Sequence, residues 1–63
     1  MKYYKHYKGN IYELLLIATH SETEEKLVIY KNKEGQVFAR PYDMFFEEIE
    51  VNGELVPRFK EVE

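Results

Sequence analysis

Ile11-Tyr12-Glu13-Leu14-Leu15-Leu16-Ile17-Ala18, emptying into Thr19-His20-Ser21-Glu22-Thr23, is the stretch from which the rest of the chain can be read. The first run is a strand, because bulky apolar residues follow one another and no charge interrupts them after Glu13. Both alternating sets are largely apolar, with Tyr12, Leu14, Leu16 and Ala18 on one and Ile11, Leu15 and Ile17 on the other. A central strand covered on both faces is therefore predicted. The polar residues 19–25 form a hook, either a loop or one helical turn. Thr19 or Ser21 precedes Glu22 or Glu24 by three positions, the spacing of a capping box.

Upstream, residues 3–7 alternate aromatic and polar side chains as a short strand, and Lys8-Gly9-Asn10 turns it back. Downstream, Lys26-Leu27-Val28-Ile29-Tyr30-Lys31 is a second apolar strand. Asn32-Lys33-Glu34-Gly35 closes a hairpin onto residues 36–40, with Gly35 in the left-handed position. Pro41 has no N–H for the ladder and ends that strand. Residues 41–46 then make a single turn of helix or 3₁₀ that drops Met44 and one Phe onto the barrel end. The sharpest local signal follows: Asn52-Gly53 between the alternating runs Glu47-Glu48-Ile49-Glu50-Val51 and Glu54-Leu55-Val56-Pro57-Arg58-Phe59 predicts a type I′ hairpin. Pro57 marks the far end as an edge or a bulge. Five to six short antiparallel strands joined by tight turns make an all-β fold, a bent sheet closing as a small barrel, with an open meander as the alternative.

Sixty-three residues make one domain, residues 1–63, burying only about 60% of the surface its unfolded chain exposes. An apolar fraction of 44% with 16% aromatics supplies a core, built largely from six Tyr and four Phe. No Cys is present, which removes disulfides and thiolate metal sites and fits a reducing cytoplasm. The longest uninterrupted apolar run, residues 14–18, is far too short to cross about 30 Å of hydrocarbon, so a soluble, unexported protein without membrane contact is expected. Net charge is −3 but uneven: residues 1–33 hold six Lys against four Glu, and residues 34–63 hold three basic against eight acidic residues. Pairing of the halves through weak surface charges, and a weak homodimer through an edge carrying Val56 and Phe59, are the expectations that follow.

The combination Tyr4-Lys5-His6-Tyr7-Lys8-Gly9-Asn10, Ala18-Thr19-His20-Ser21-Glu22-Thr23, Leu27-Val28-Ile29-Tyr30, Arg40-Pro41 with Met44-Phe45, and Val56-Pro57-Arg58-Phe59 resembles a bacterial family, domain of unknown function 1653. The resemblance spans nearly the whole chain and implies a small SH3-like barrel, or roll, without an established activity. Members often have a longer connection where this chain runs from Tyr30 to Arg40 through a short turn.

His20 and Ser21 are a nucleophile and base by residue type only. Adjacent residues in extended backbone point to opposite faces, while activation needs the two side chains within hydrogen-bond reach. His20 and Glu22 share a face, and His6 would be a third metal ligand; two His without Cys is a sparse supply, so no metal and no cofactor is assigned. Arg40, at a strand end beside Pro41, either forks onto Glu22 or Glu47 or faces an anionic ligand, and Arg58 after Pro57 poses the same choice. The Tyr residues near Lys2, Lys5, Lys8 and Lys31 suit stacking on single-stranded nucleic acid, against which the acidic total argues. The sequence reading is thus a non-enzymatic binding module recognising a peptide or protein partner through exposed Tyr, His20, Ser21, Glu22, Thr23 and Arg40. The alternatives are single-strand binding by the Tyr and Lys face and a small anion-ligand or enzymatic site at His20, Glu22 and Arg40.

Overall fold

The computed structural model describes residues 2–62. Along them lie β1 (Lys2–His6), β2 (Ile11–Thr19), β3 (Lys26–Lys31), β4 (Val37–Pro41), α1 (Tyr42–Phe45), β5 (Glu48–Val51), β6 (Glu54–Pro57) and β7 (Phe59–Val62). The described residues are nearly all β, as expected, with seven strands in place of five to six. β1 to β4 form an antiparallel meander, β7 adds to the far side of β1, and the sheet order is β4-β3-β2-β1-β7. β5 and β6 are a separate two-stranded ribbon. No ladder joins β4 to β7 among the described residues, so the roll is open, in a form compatible with an SH3-like barrel.

Turn chemistry places these strands. Asn52 and Gly53 take φ of 53° and 83°, the two left-handed residues that a type I′ turn requires. Gly35 takes 86° after a turn in which Asn32 receives the Gly35 N–H on its carbonyl and the Gln36 N–H on its side chain. Pro41 sits at the very end of β4, an edge strand, where its missing N–H disrupts nothing. Pro57 closes β6, and Arg58 bends the chain into β7.

The core is Tyr4, Val28, Tyr30, Phe45 and Phe59, flanked by Tyr12, Leu14 and Phe38. Phe45 and Phe59 stack with centroids 4.1 Å apart and planes 4° apart, while Tyr30 meets both, at 5.3 and 5.6 Å. Such ring pairs contribute about 0.5–1.5 kcal/mol each beyond area burial. One helical turn, α1, delivers Phe45; Met44, expected beside it, stays exposed, because four residues present only one side chain to the core.

β2 departs from its sequence reading. It is central, but Leu15, Leu16 and Ile17 are 39%, 52% and 43% exposed. Register shifts between Leu14, opposite Tyr30, and Leu16, opposite Ile29, which is a β-bulge. An extra residue bends the strand and re-aims its side chains. A chain of this size also has one aromatic layer to offer, so the second face of its main sheet goes uncovered. The described ion pairs lie within the halves, Glu13 with Lys31 and Glu47 with Arg58, rather than between them. Val56 and Phe59, expected on one edge, fall on different strands, and Phe59 is buried.

Candidate functional site

The hook is a self-satisfied loop. His20 Nδ1 accepts the N–H groups of Glu22 and Thr23 at 3.1 and 3.3 Å, and Thr23 Oγ1 accepts the N–H of Glu25 at 3.2 Å. The His20 N–H donates to the Glu25 carbonyl, and the His20 carbonyl accepts from Glu24, whose φ is 62°. The imidazole does for this turn what Asn or Asp does in an Asx turn. Ser21, Glu22 and Thr23 are exposed on it. No hydrogen bond or ion pair connects residues 20–23 to Arg40 among the described residues.

Arg40 joins neither Glu22 nor Glu47. It stands opposite Val28, on the face of Tyr30 and Phe38, which places its guanidinium over the aromatic core. Its Nε donates to the Tyr30 hydroxyl at 3.4 Å, and its guanidinium carbon lies 5.8 Å from the Phe59 ring centre. Glu47 is taken by Arg58, whose Nε and Nη2 donate to Oε1 at 3.0 and 2.6 Å, while the Arg58 N–H donates to the Glu47 carbonyl. The Asn52-Gly53 hairpin explains the exchange. Its ladder ends at Glu48 opposite Pro57, so one further step sets Glu47 opposite Arg58. That register is readable from the turn alone, and it is the signal that resolves the choice.

His6, considered in the sequence only as a metal ligand, is the residue that completes the cluster. β1 pairs it with Phe59, and its ring meets Phe59 at 4.9 Å and Tyr7 at 4.5 Å. Lys8 Nζ lies 5.8 Å over the Tyr7 ring. Lys8, Tyr7, His6, Phe59 and Arg40 therefore form a continuous string of cationic and aromatic groups around one rim of the roll. Burial holds His6 below the ordinary imidazole range, and the positive charges of Arg58, Arg40 and Lys8 hold it lower still. Its Nδ1 accepts the Lys8 N–H at 3.2 Å, a role open only to an unprotonated nitrogen. Arg40 is thus a half-buried cation with no carboxylate partner among the described residues. No group of three His, Asp or Glu side chains able to hold a metal occurs among them either.

The string is carried by the Arg-Pro and Pro-Arg-Phe segments and by the Tyr-Lys-His-Tyr-Lys start of the chain, the same segments that bear the family likeness. The chain belongs to the family described as "Protein of unknown function (DUF1653)". The match covers residues 2–61. The DUF1653 chain has no match among curated proteins or among solved structures. Of the Tyr residues available for recognition in this DUF1653 chain, Tyr4 and Tyr30 are core and Tyr12 is half-buried, leaving Tyr3, Tyr7 and Tyr42 on the surface. Among the described residues no helix is long and apolar enough to cross a membrane.

Proposed function

We propose that this domain is a non-enzymatic interaction module that takes a carboxylate of a peptide or protein partner at the rim formed by Arg40, His6 and Phe59. The observation that carries this reading is the Arg40 guanidinium, without a carboxylate partner among the described residues and held side-on between the Tyr30 hydroxyl and the Phe59 ring. A planar guanidinium fixed by an aromatic face is ready to fork onto a carboxylate without first being ordered. Neutral His6 beside it adds no competing charge while the rim is empty, and an arriving anion would offset the cations that depress it. The absence of Cys fits a protein working in the cytoplasm. Residues 20–23 serve this reading as scaffold, since His20 spends Nδ1 on its own backbone.

The test is the affinity of an end-blocked tetraglutamate peptide for the wild-type domain, for Arg40→Gln and for Arg40→Lys. Arg40→Gln weakens binding about tenfold, the worth of one charge-assisted contact, and Arg40→Lys recovers part of it. Equal affinities for all three proteins would dismiss the rim. A second reading, single-strand nucleic acid binding, draws on the Lys8 and Tyr7 contact. It requires affinity for mixed oligonucleotides that falls steeply with salt.

A further inference from the structure

On the side of β1 and β7 that carries Lys5 and Lys60, a cleft of about 340 Å³ opens between these strands and the β5–β6 ribbon. Its walls include Lys5 and Lys60 from the sheet and Val51, Val56 and Pro57 from the ribbon, with His6 and Tyr7 at the end where it meets the rim. Lys5 and Lys60 are partners directly across the β1–β7 ladder. Like charges in that position destabilise a sheet. No ion pair relieves either ammonium among the described residues. Two adjacent cations at the lip of an apolar floor are complementary to a ligand that brings negative charge and an apolar side chain together. β7 is also the last strand of its sheet, and among the described residues no strand pairs with its outer edge.

From these three features we infer that the cleft binds an extended peptide segment of the partner in which an acidic residue neighbours a large apolar one. The apolar side chain fills the space over Val51, Val56 and Pro57, the carboxylate lies between Lys5 and Lys60, and the main chain adds to the free edge of β7. Strand addition of this kind takes affinity from the backbone and selectivity from alternate side chains. A nucleic acid strand would satisfy the lysines alone and leave the apolar floor uncovered. The inference rests on the domain being an interaction module and names a second contact for the same class of partner.

The experiment is an amide NMR titration of the labelled domain with an end-blocked peptide of alternating Leu and Glu, and with its counterpart carrying Gln for Glu. The Leu-Glu peptide shifts Lys5, Val51, Val56 and Lys60, and the Leu-Gln peptide binds about tenfold more weakly. The Lys5→Gln/Lys60→Gln double variant loses this preference while its melting temperature holds or rises, because the removed charges repel. A melting temperature that falls instead, silence at the cleft, or equal binding of both peptides overturns the proposal. The wild-type titration separates the two sites: cleft shifts without shifts at Arg40 and Phe59 uphold the cleft and remove the rim, and the reverse removes the cleft alone. With Arg40→Gln the cleft shifts persist, and their loss overturns the cleft as a separate contact. Cleft shifts that appear on concentrating the free domain place a second copy there and overturn the peptide assignment, as do cleft shifts produced by mixed oligonucleotides.

Discussion

The guanidinium of Arg40 lies over the ring of Phe59, 5.8 Å from its centre, and so brings together β4 and β7, the two strands at opposite ends of the sheet order. The roll is drawn round by side chains where, among the described residues, no backbone ladder closes it. Phe59 is central to that closure, since His6, Tyr12, Tyr30 and Phe45 also meet its ring. The groups that hold the open edges near one another are the same ones that form the rim.

Phe59→Ala is expected to destabilise the domain by about 3–5 kcal/mol, the usual range for deleting a buried ring. In a small domain of thin margin this leaves little folded protein at ambient temperature. Phe59→Leu keeps most of the apolar volume and loses less. Urea denaturation of the two variants measures the difference, and a Phe59→Ala protein as stable as wild type would refute the central place given to this ring.

Acid weakens the fold through His6. Its folded-state value lies below the ordinary 6.5, so the unfolded chain takes up the proton first as pH falls. The neutral-imidazole contribution is full above pH 6.5 and is lost as pH drops through 6.5 toward the lower folded value. Melting temperatures followed across that window should decline for wild type and decline less for His6→Gln, whose side-chain oxygen can still accept the Lys8 N–H. Parallel profiles would contradict this.

His20 is expected to matter for stability and not for binding. His20→Ala removes the acceptor of two backbone N–H groups, at a cost of about 1 kcal/mol by analogy with lost helix caps, and His20→Asn restores most of it. Chemical denaturation gives the size, and affinity for the tetraglutamate peptide should stay at the wild-type level in both variants. A loss of affinity at unchanged stability would return the hook to the recognition surface.

A double-mutant cycle on Glu47 and Arg58 should give a coupling of about 1 kcal/mol that shrinks with salt, since both groups keep part of their exposure. Their contact fixes the corner at which the ribbon leaves the main sheet, because the Arg58 N–H also bonds the Glu47 carbonyl. A null coupling at low salt would reduce the pair to a bystander of that backbone contact.

Much of this fold is legible in the sequence wherever a turn dictates backbone geometry. Asn52-Gly53 and Gly35 announce hairpins because few residues tolerate positive φ, and both hairpins form. Pro41 announces a strand end for the same kind of local reason. The bulge between Leu14 and Leu16 leaves no such mark, because one apolar residue more in an apolar run changes no local preference. The exposure of Leu15 to Ile17 was therefore hidden as well. The rim depends on β1 pairing with β7, residues far apart in the chain, which is why His6 and Phe59 did not stand out as neighbours. His20 reads two ways for a different reason: a ring nitrogen capping backbone N–H groups looks, in sequence, like a residue available for chemistry.

The most direct measurement is the NMR signal of the Arg40 side-chain Nε–H during titration with the end-blocked tetraglutamate peptide. A saturable shift at this group, accompanied by a rise in the His6 titration midpoint, is the result expected of a rim that receives a carboxylate. An Arg40 signal that stays in place while the peptide binds elsewhere, or no binding at low salt, would contradict the account.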